Sequence, residues 1–366
     1  MTIYCLCLNR AVKRIIFSLT LTLGVAVTTT AQESHTGTSH SSLTDFIIGN
    51  THDIIEETSH FIDEHLDAKD TVYISPNLYN FTIMPQYSSY YEYYRFSSKE
   101  KEQSITLSPE SQNKIGLYLG WRWIFLGYSV DIGGANPQTD INLSFYTSKL
   151  GIDLFYRKRD EGYRIKRLDG FSKNGNNLDD YIVKFEGLSV EQQGVNLYYV
   201  FNNQKFSYPA AYSQSTNQRI SAGSFILGVS YNEQSFTFDH TKFDIRIQEN
   251  LLPELKFNTV KYKDFSINFG YSYNWVFKKD WLANISFTPA IGYKNTSLRL
   301  TNSKDFLSSI NFDLITRAAI VYNNSKYYAG ASLVSHTYSY NKSSLSILNG
   351  FGVINVYVGF NFWRKK

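Results

Sequence analysis

Long stretches of the chain alternate apolar and polar residues with a period of two. Over positions 265–274, Phe, Ile, Phe, Tyr and Tyr alternate with Ser, Asn, Gly, Ser and Asn. Segments 281–294, 309–322 and 350–363 each run 14 residues in this pattern. Strands in soluble proteins average about 5 to 6 residues, whereas a tilted strand needs about 9 to 11 to cross a membrane. Alternation and length together favour a transmembrane β-barrel.

The composition supports the same fold class. The chain has 29 Tyr and 26 Phe but only 2 Met, which favours strands over helices. No segment after the first 31 residues predicts a transmembrane helix, and only helices and closed barrels satisfy every backbone donor and acceptor in lipid. We therefore predict an all-β fold, a single antiparallel transmembrane β-barrel of about 12 strands with a short N-terminal helix over 45–67.

The N-terminus has the layout of a secretory signal peptide. Basic residues at positions 10–14 precede an apolar stretch over 15–27, and small residues follow up to Ala31. Both cysteines lie in this leader, so the mature chain has no thiol for catalysis or metal binding. The predicted organisation is a signal peptide over 1–31, a periplasmic tail and short helix over 32–70, and an outer-membrane barrel domain over 71–366.

The net charge gives no argument for nucleic acid as a partner. The formal value of +4 belongs mostly to the leader, since its removal leaves 33 basic against 32 acidic residues. The expected partners are instead outer-membrane lipid and the barrel assembly machinery.

Connection lengths predict which end of the barrel each link occupies. We place strands near 79–97, 113–121, 123–132, 141–157, 192–202, 221–231, 235–246, 263–276, 281–294, 309–322, 327–340 and 350–363. Short turns then fall at Arg122, 232–234, 278–280 and 323–326, and longer links alternate with them, as in outer-membrane barrels. Both termini lie on the short-turn side. The link 158–191 is long where a turn is due, which indicates a periplasmic insertion or a miscounted strand pair.

All five tryptophans fall near the ends of these segments. An indole has an apolar ring and one N–H donor, so it is favoured where lipid meets headgroups and water. The register predicts an interfacial girdle on the short-turn rim, made of Trp121, Trp123, Trp275, Trp281 and Trp363. The alternative is that these side chains anchor a soluble β-core.

Charged residues within the predicted spans would be costly if they faced lipid at the membrane midplane. Asp153, Arg157, Asp313 and Arg317 are therefore expected in the lumen or near a rim, together with Arg122. Asp313 and Arg317 share parity on one strand and could pair with each other or across the lumen. They form either the charge filter of a pore or ion pairs that fill a narrow barrel, and the predicted strand number favours the ion pairs.

The least generic segment is FSYPAAYSQSTNQR, from Phe206 to Arg219. It has no acidic residue, and the register places it in an outward loop. Tyr208, Tyr212, Gln214 and Arg219 are candidates for stacking on, and hydrogen bonding to, sugars or another loop. The alternative is a segment that folds into the lumen and packs there.

The sequence offers no catalytic or metal motif of the common kinds, neither G-x-S-x-G nor H-E-x-x-H. His336 lies beside Ser335 and Ser339, but adjacent or three-apart residues of a strand cannot share a face. His60 and His65 are five apart on the predicted helix, so they cannot form a zinc pair. We expect no catalytic residue, no metal and no cofactor.

Several runs resemble those of an uncharacterised Bacteroidetes family, catalogued as domain of unknown function 4421: GWRWIFLGY at 120–128, GIDLFYR at 151–157, KFSYPAAYSQST at 205–216 and YNWVF at 273–277. The resemblance covers about Asp70 to the C-terminus. It implies an outer-membrane barrel of Gram-negative bacteria with no established activity. The C-terminus departs from common barrels, because Arg364-Lys365-Lys366 follow Trp363 where many barrels end on the aromatic residue that the assembly machinery reads.

The leading functional hypothesis is a narrow channel or a surface-binding barrel for small polar solutes or glycans. An envelope-lipid-modifying barrel enzyme is an alternative that would need a nucleophile and a base on one face. A structural or assembly component of an envelope complex is a third. The mature chain is too short for a plug domain plus 22 strands, which argues against a TonB-dependent transporter.

Overall fold

A computed structural model describes residues 70–98, 103–110, 112–121, 124–132, 138–171, 183–300, 304–342 and 345–364. All of these fall in one compact unit, Lys69–Lys366. The predicted signal peptide, periplasmic tail and N-terminal helix lie outside the described residues, as do Arg122 and Trp123. Among the described residues, no helix is long and apolar enough to cross a membrane.

The described residues are mostly strand. The strands are β1 (Ile74–Pro76), β2 (Tyr79–Ser98), β3 (Ser104–Pro109), β4 (Gln112–Trp121), β5 (Ile124–Asp131), β6 (Gln138–Tyr146), β7 (Leu150–Arg159), β8 (Tyr163–Asp169), β9 (Lys184–Phe185), β10 (Leu188–Val200), β11 (Thr216–Gln218), β12 (Ala222–Phe238), β13 (Phe257–Lys278), β14 (Trp281–Leu300), β15 (Lys304–Asn323), β16 (Tyr327–Lys342) and β17 (Leu345–Arg364). Two short helices, α1 (Pro209–Tyr212) and α2 (Ile245–Asn250), lie in connections, with 3₁₀ turns at His240–Lys242 and Pro253–Leu255.

Twelve strands form one curled antiparallel sheet, which is the wall of the barrel. Their order is β5, β4, β2, β17, β16, β15, β14, β13, β12, β10, β7 and β6. β3 pairs with the far half of β2, beyond β4, and with β8 on its other side. Within the described parts of the chain, no ladder joins β5 to β6. The number of wall strands agrees with the prediction.

The two ends of the barrel differ. Tyr79, at the start of β2, pairs with Arg364 at the end of β17. The turns between β13 and β14 and between β15 and β16 lie at this same end, which we call the turn end. Both turns are where the sequence predicts them. Short turns mark the periplasmic side of outer-membrane barrels. We call the opposite end the cap end.

The wall is inside-out relative to a soluble protein. On β13, Phe265, Ile267 and Phe269 point outward and each is more than half exposed. Asp264 and Asn268 point into the lumen and are fully buried. The same division holds on β12, β14 and β17, whose outward positions are large and apolar. A belt of exposed apolar side chains around a polar interior is what lipid requires, so the chain is a transmembrane β-barrel.

Where the strands leave this belt, the apolar residues change from the outer face of the wall to its inner face. On β12, Phe225 and Leu227 point outward within the belt, whereas Phe236 and Phe238, nearer the cap end, point inward and are buried. β2, β10, β13 and β17 show the same reversal. Their inward apolar residues join residues of β3, β8, β9 and α2 in one apolar cluster. We call it the cap core; its largest members include Tyr94, Phe96, Phe185, Phe236, Phe238, Phe243 and Phe257.

Two predicted strand assignments are wrong. One predicted strand is in fact two and two predicted strands are in fact one, so the total number of strands is unchanged. Segment 141–157 is not one strand, because a turn at 147–149 divides it into β6 and β7. The predicted turn at 232–234 does not exist, because β12 runs through it, and the predicted strand 235–246 ends at Phe238. The outward-pointing positions explain both errors. They change from odd numbers, such as Leu143, to even numbers, such as Leu154, across the true turn. Across 232–234 the odd-numbered residues stay outward, and only the side of the strand that is apolar changes.

The turn at 147–149 also reverses the directions predicted for strands 192–202 and 221–231, and the absence of the turn at 232–234 restores the predicted direction from there on. The described parts of the link 158–191, residues 158–171 and 183–191, therefore lie at the cap end, where β8 pairs with β3 and β9 pairs with β8. The interpretation of this link as a periplasmic insertion is wrong, and the miscounted strand boundary is its cause. The same reversal brings residues 206–219 to the turn end, so the predicted outward loop is wrong too.

A basic residue in the belt tests the assignment of the lipid-facing side. Ile267→Arg should destabilise the barrel by about 2–4 kcal/mol, because Ile267 points outward in the belt. Thr237→Arg, on the outer face of the cap, should change stability by less than about 0.5 kcal/mol. Denaturant unfolding in lipid vesicles measures both values. Equal effects would contradict the assignment.

Candidate functional site: an occupied lumen

Residues 206–219 fill the lumen at the turn end. They connect β10 to β12, contain α1 and β11, and form what we call the plug segment. Phe206, Ser207 and Ala211 are completely buried. β11 pairs with β1, so the chain that enters the barrel at Ile74 is hydrogen-bonded to the plug segment. This arrangement is the lumen-packed alternative considered for this segment.

The plug segment bonds to several strands of the wall. The Tyr208 hydroxyl lies 2.6 Å from Ser286 Oγ on β14, and Tyr212 donates to Asn284 Oδ1 at 2.6 Å. Gln214 Nε2 donates to the Tyr357 hydroxyl on β17 at 3.0 Å. Further contacts come from β13, where Asn274 Nδ2 donates to the Ser207 carbonyl, and from β15, where Asn323 carbonyl accepts from Asn217. These bonds hold the segment against one arc of the wall, from β13 to β17.

The four ligand-binding candidates lie in this packed region. Tyr208 and Gln214 are about as buried as core residues, and Tyr212 is only partly exposed. Arg219 Nη2 donates to Ser75 Oγ, at 3.2 Å, which ties the plug segment to β1. Their aromatic rings stack on Tyr146 and on each other rather than facing an open surface. The structure therefore places Tyr208, Tyr212 and Gln214 as contacts between the plug segment and the wall, whereas Arg219 is exposed and bonds to β1.

Two of the predicted lumen charges form one ion pair across the lumen. Arg317 on β15 donates to the Asp153 carboxylate on β7, and these strands are not neighbours in the wall. Ser144 Oγ donates to the same carboxylate at 2.8 Å. The Arg317 guanidinium also lies over the rings of Tyr198 and Tyr208, 5.2 and 5.7 Å from their centroids. The pair thus links the wall, the plug segment and both sides of the lumen.

The other two candidates lie nearer the cap end and pair separately. Arg157 Nη1 is 3.5 Å from Glu92 Oε1, and its guanidinium lies 4.3 Å from the centre of the Phe351 ring. Asp313 Oδ1 is 2.8 Å from Lys294 Nζ. Asp313 and Arg317 therefore do not pair with each other. Each has a partner on a different strand.

The cap core closes the lumen above these pairs. Phe96 on β2 lies 5.3 Å from Phe257 on β13 and 6.1 Å from Phe236 on β12, between ring centroids. β2 is separated from β13 by four other wall strands, so these rings meet across the lumen. Nearer the turn end, the Tyr262 hydroxyl donates to Gln234 Oε1 at 2.7 Å and lies 3.3 Å from Asn349 Oδ1 on β17. The lumen is bridged from the plug segment to the cap core.

His336 lies in the lumen without a serine partner. Its ring is stacked on Phe351 at 5.1 Å, and Nδ1 is 3.5 Å from the Tyr338 hydroxyl. Ser339 points to the other face and donates its hydroxyl to the Phe312 carbonyl. No group of three or more His, Cys, Asp or Glu residues able to hold a metal ion occurs among the described residues.

The tryptophans that the structure describes lie at the turn end. Trp275 and Trp363 are more than half exposed on the outer face. Trp281 begins β14 and contacts Tyr322, and Trp121 ends β4. Trp123 lies outside the described residues. The girdle remains a prediction about lipid contact, and these positions are compatible with it.

The sequence argument missed several lumen charges. Glu92, Lys294 and Asp264 are buried partners of the lumen network but were not among the candidates. Their signal was their parity, since each occupies an inward position of its strand. Lys294 and Glu92 lie close to the level where the inner face of the wall changes from polar to apolar. The alternation is interrupted there, so the sequence around these two residues resembles the end of a strand.

One family model matches the chain over residues 68–362, and its description is "Domain of unknown function (DUF4421)". The match covers nearly all of the described residues. The chain belongs to the DUF4421 family. The expected resemblance is thereby confirmed. No curated protein matches the chain in sequence.

Several solved structures are similar to this DUF4421 chain. The outer membrane protease OmpT from Escherichia coli matches with a TM-score of 0.38 and 10% identity, over 80% of this chain and 100% of that one. The translocator domain of the autotransporter NalP from Neisseria meningitidis matches with a TM-score of 0.30 and 8% identity, over 88% of this chain and 100% of that one. The toluene transporter TodX from P. putida matches with a TM-score of 0.28 and 10% identity, over 78% of this chain and 91% of that one. Their activities are not transferred to this chain.

Breaking the ion pair across the lumen should destabilise the barrel strongly. Asp153→Asn or Arg317→Gln alone should each cost about 3–5 kcal/mol, because each leaves a buried charge without its partner. The double variant should cost clearly less than the sum. Arg246→Gln removes an exposed ion pair between Arg246 on α2 and Asp244, which precedes that helix. It should lower the free energy of unfolding by less than about 1 kcal/mol. Additive effects of Asp153→Asn and Arg317→Gln in denaturant unfolding would contradict the coupling.

Proposed function

We propose that this chain is a closed outer-membrane barrel that binds small polar solutes or glycans at its cap, not an open channel. The observation that carries the proposal is the meeting of Phe96 with Phe236 and Phe257 across the lumen. Those rings occupy the lumen at their level in the part of the chain that the structure describes, and the plug segment occupies the lumen at the other end. The predicted signal peptide over 1–31 supplies the export route that an outer-membrane location requires.

The cap offers a polar cluster on its outer surface. Asp169 accepts hydrogen bonds from Ser104 Oγ at 2.8 Å, from Arg95 Nη2 at 3.1 Å and from Arg167 Nε at 2.6 Å. Partial burial raises the pKa of the Asp169 carboxyl, but the bonds from Ser104 and Arg167 outweigh this, so its pKa lies below the usual value. The carboxylate thus stays charged and holds two partly exposed guanidinium groups in place. Such groups suit hydrogen bonding to the oxygens of a glycan.

Conductance tests whether the lumen is closed. Purified folded protein in a planar bilayer should show no discrete current steps. Replacement of residues 208–217 by a short Gly-Ser linker should also show none, because the cap core remains intact. Current steps from the wild-type protein would overturn the closed barrel and support a narrow channel, which is the second candidate. Steps only after the replacement would show that the cap core does not seal the lumen.

Glycan binding tests the role of the cap. Binding of fluorescein-labelled neutral and sulfated polysaccharides to vesicles that contain the protein should weaken about tenfold with Arg167→Ala, as expected for one lost charged hydrogen bond. Arg246→Ala is the matched control, since Arg246 is also an exposed arginine of the cap that pairs with an aspartate. Equal binding by all three proteins, or none by any, would contradict the assignment of this cluster.

A further inference from the structure

Lys294 is a fully buried lysine in the lumen, directly below the cap core. Its amine lies 2.8 Å from Asp313 Oδ1 and donates to the Ser339 carbonyl at 2.8 Å. The rings of Tyr262 and Tyr338 flank it, with centroids 5.2 and 5.6 Å from Nζ. The amine is therefore excluded from water and held in one place beside the Asp313 carboxyl group.

Asp313 is held equally firmly. The backbone N–H of Ser339 donates to Asp313 Oδ1 at 3.0 Å, whereas Oδ2 is buried with no hydrogen-bond partner. A backbone donor on one carboxyl oxygen is the arrangement that stabilises an oxyanion when a nucleophile adds to the carbon. Oδ2 is the oxygen that remains available to leave.

A second carboxyl group completes the cluster. Asp264 on β13 is fully buried and interacts with both Lys294 and Asp313. Its Oδ1 lies only 2.4 Å from where a Cβ would stand at position 292, so Gly292 makes the space for this carboxylate. Asp264 Oδ1 receives no hydrogen bond from an N–H group or a hydroxyl group. A carboxyl in this position can accept and return a proton.

We propose that Lys294 and Asp313 form an intramolecular isopeptide bond, with Asp264 as the proton-transfer group. Asp264 takes one proton from the Lys294 ammonium and passes it to Asp313 Oδ2, which gives a neutral amine and a neutral Asp313 carboxyl group with its hydroxyl at Oδ2. Nζ attacks Cγ of Asp313, a C–N bond forms, and the negative charge on Oδ1 is stabilised by the Ser339 N–H. Asp264 takes a proton from the nitrogen and delivers it to the Oδ2 hydroxyl, which leaves as water when its C–O bond breaks. One water is released, and nothing is oxidised or reduced.

Two physical reasons favour this product. Buried ion pairs are costly because both ions lose their hydration, and condensation converts the pair into a neutral amide. The reacting groups are also already in contact, so little further entropy is lost on reaching the transition state. The bond would join β14 to β15 covalently at the base of the cap.

The intact mass of the folded wild-type protein tests the proposal directly. It should be lower by one water than the mass of the mature sequence, and fragmentation of a proteolytic digest should find one branched peptide that joins Lys294 to Asp313. Lys294→Arg keeps the positive charge but has no amine to condense, so it should show the full mass. Asp264→Asn should also show the full mass, or reach the lower mass far more slowly, while Lys294 and Asp313 remain.

Lys263 provides a control within the same molecule. It lies 2.8 Å from Glu233, as close as Lys294 is to Asp313, but it is exposed on the outer face. Peptide mapping should find Lys263 unmodified. The full mass in folded wild-type protein, whose folding is established by heat-dependent mobility on a gel, would overturn the proposal and leave an ordinary ion pair. A cross-link at Lys263 as well would show that proximity alone suffices and would overturn the role of the buried cluster.

Discussion

The burial of polar side chains inside an apolar belt is the constraint on which the rest of this structure depends. Lipid cannot accept hydrogen bonds, so each wall strand places its apolar residues outside and its polar residues in the lumen. A narrow lumen brings those polar residues close to one another, and most of them must then find partners across it. The Arg317–Asp153 and Lys294–Asp313 pairs are two results of this requirement.

The plug segment and the cap core are different responses to the same problem at the two ends. At the turn end, the lumen is still polar, and Tyr208, Tyr212 and Gln214 fill it by hydrogen bonding to polar wall residues. At the cap end, the strands have left the lipid and are surrounded by water. There the outer face becomes polar, the inner face becomes apolar, and burial of aromatic rings closes the barrel in the way a soluble core does.

This arrangement is the basis on which we propose a binding barrel and not a channel. A charge filter requires a passage, whereas the charged residues here are paired and the lumen is bridged above and below them. The loop that suggested sugar binding faces inward. The binding hypothesis therefore moves to the cap, where Arg95, Arg167 and Asp169 present a polar surface on a rigid apolar core.

The sequence by itself determined the barrel, because period-two alternation over long segments has one solution in lipid and can be read locally. It also determined that Asp153, Arg157, Asp313 and Arg317 point into the lumen, since parity fixes the face of each residue. It did not determine their partners or the position of residues 206–219, which depend on how strands far apart in sequence meet across the lumen. A turn between two strands and a single strand whose apolar side changes both interrupt the alternation of apolar and polar residues. The sequence pattern alone therefore does not distinguish the two, and the tertiary structure does.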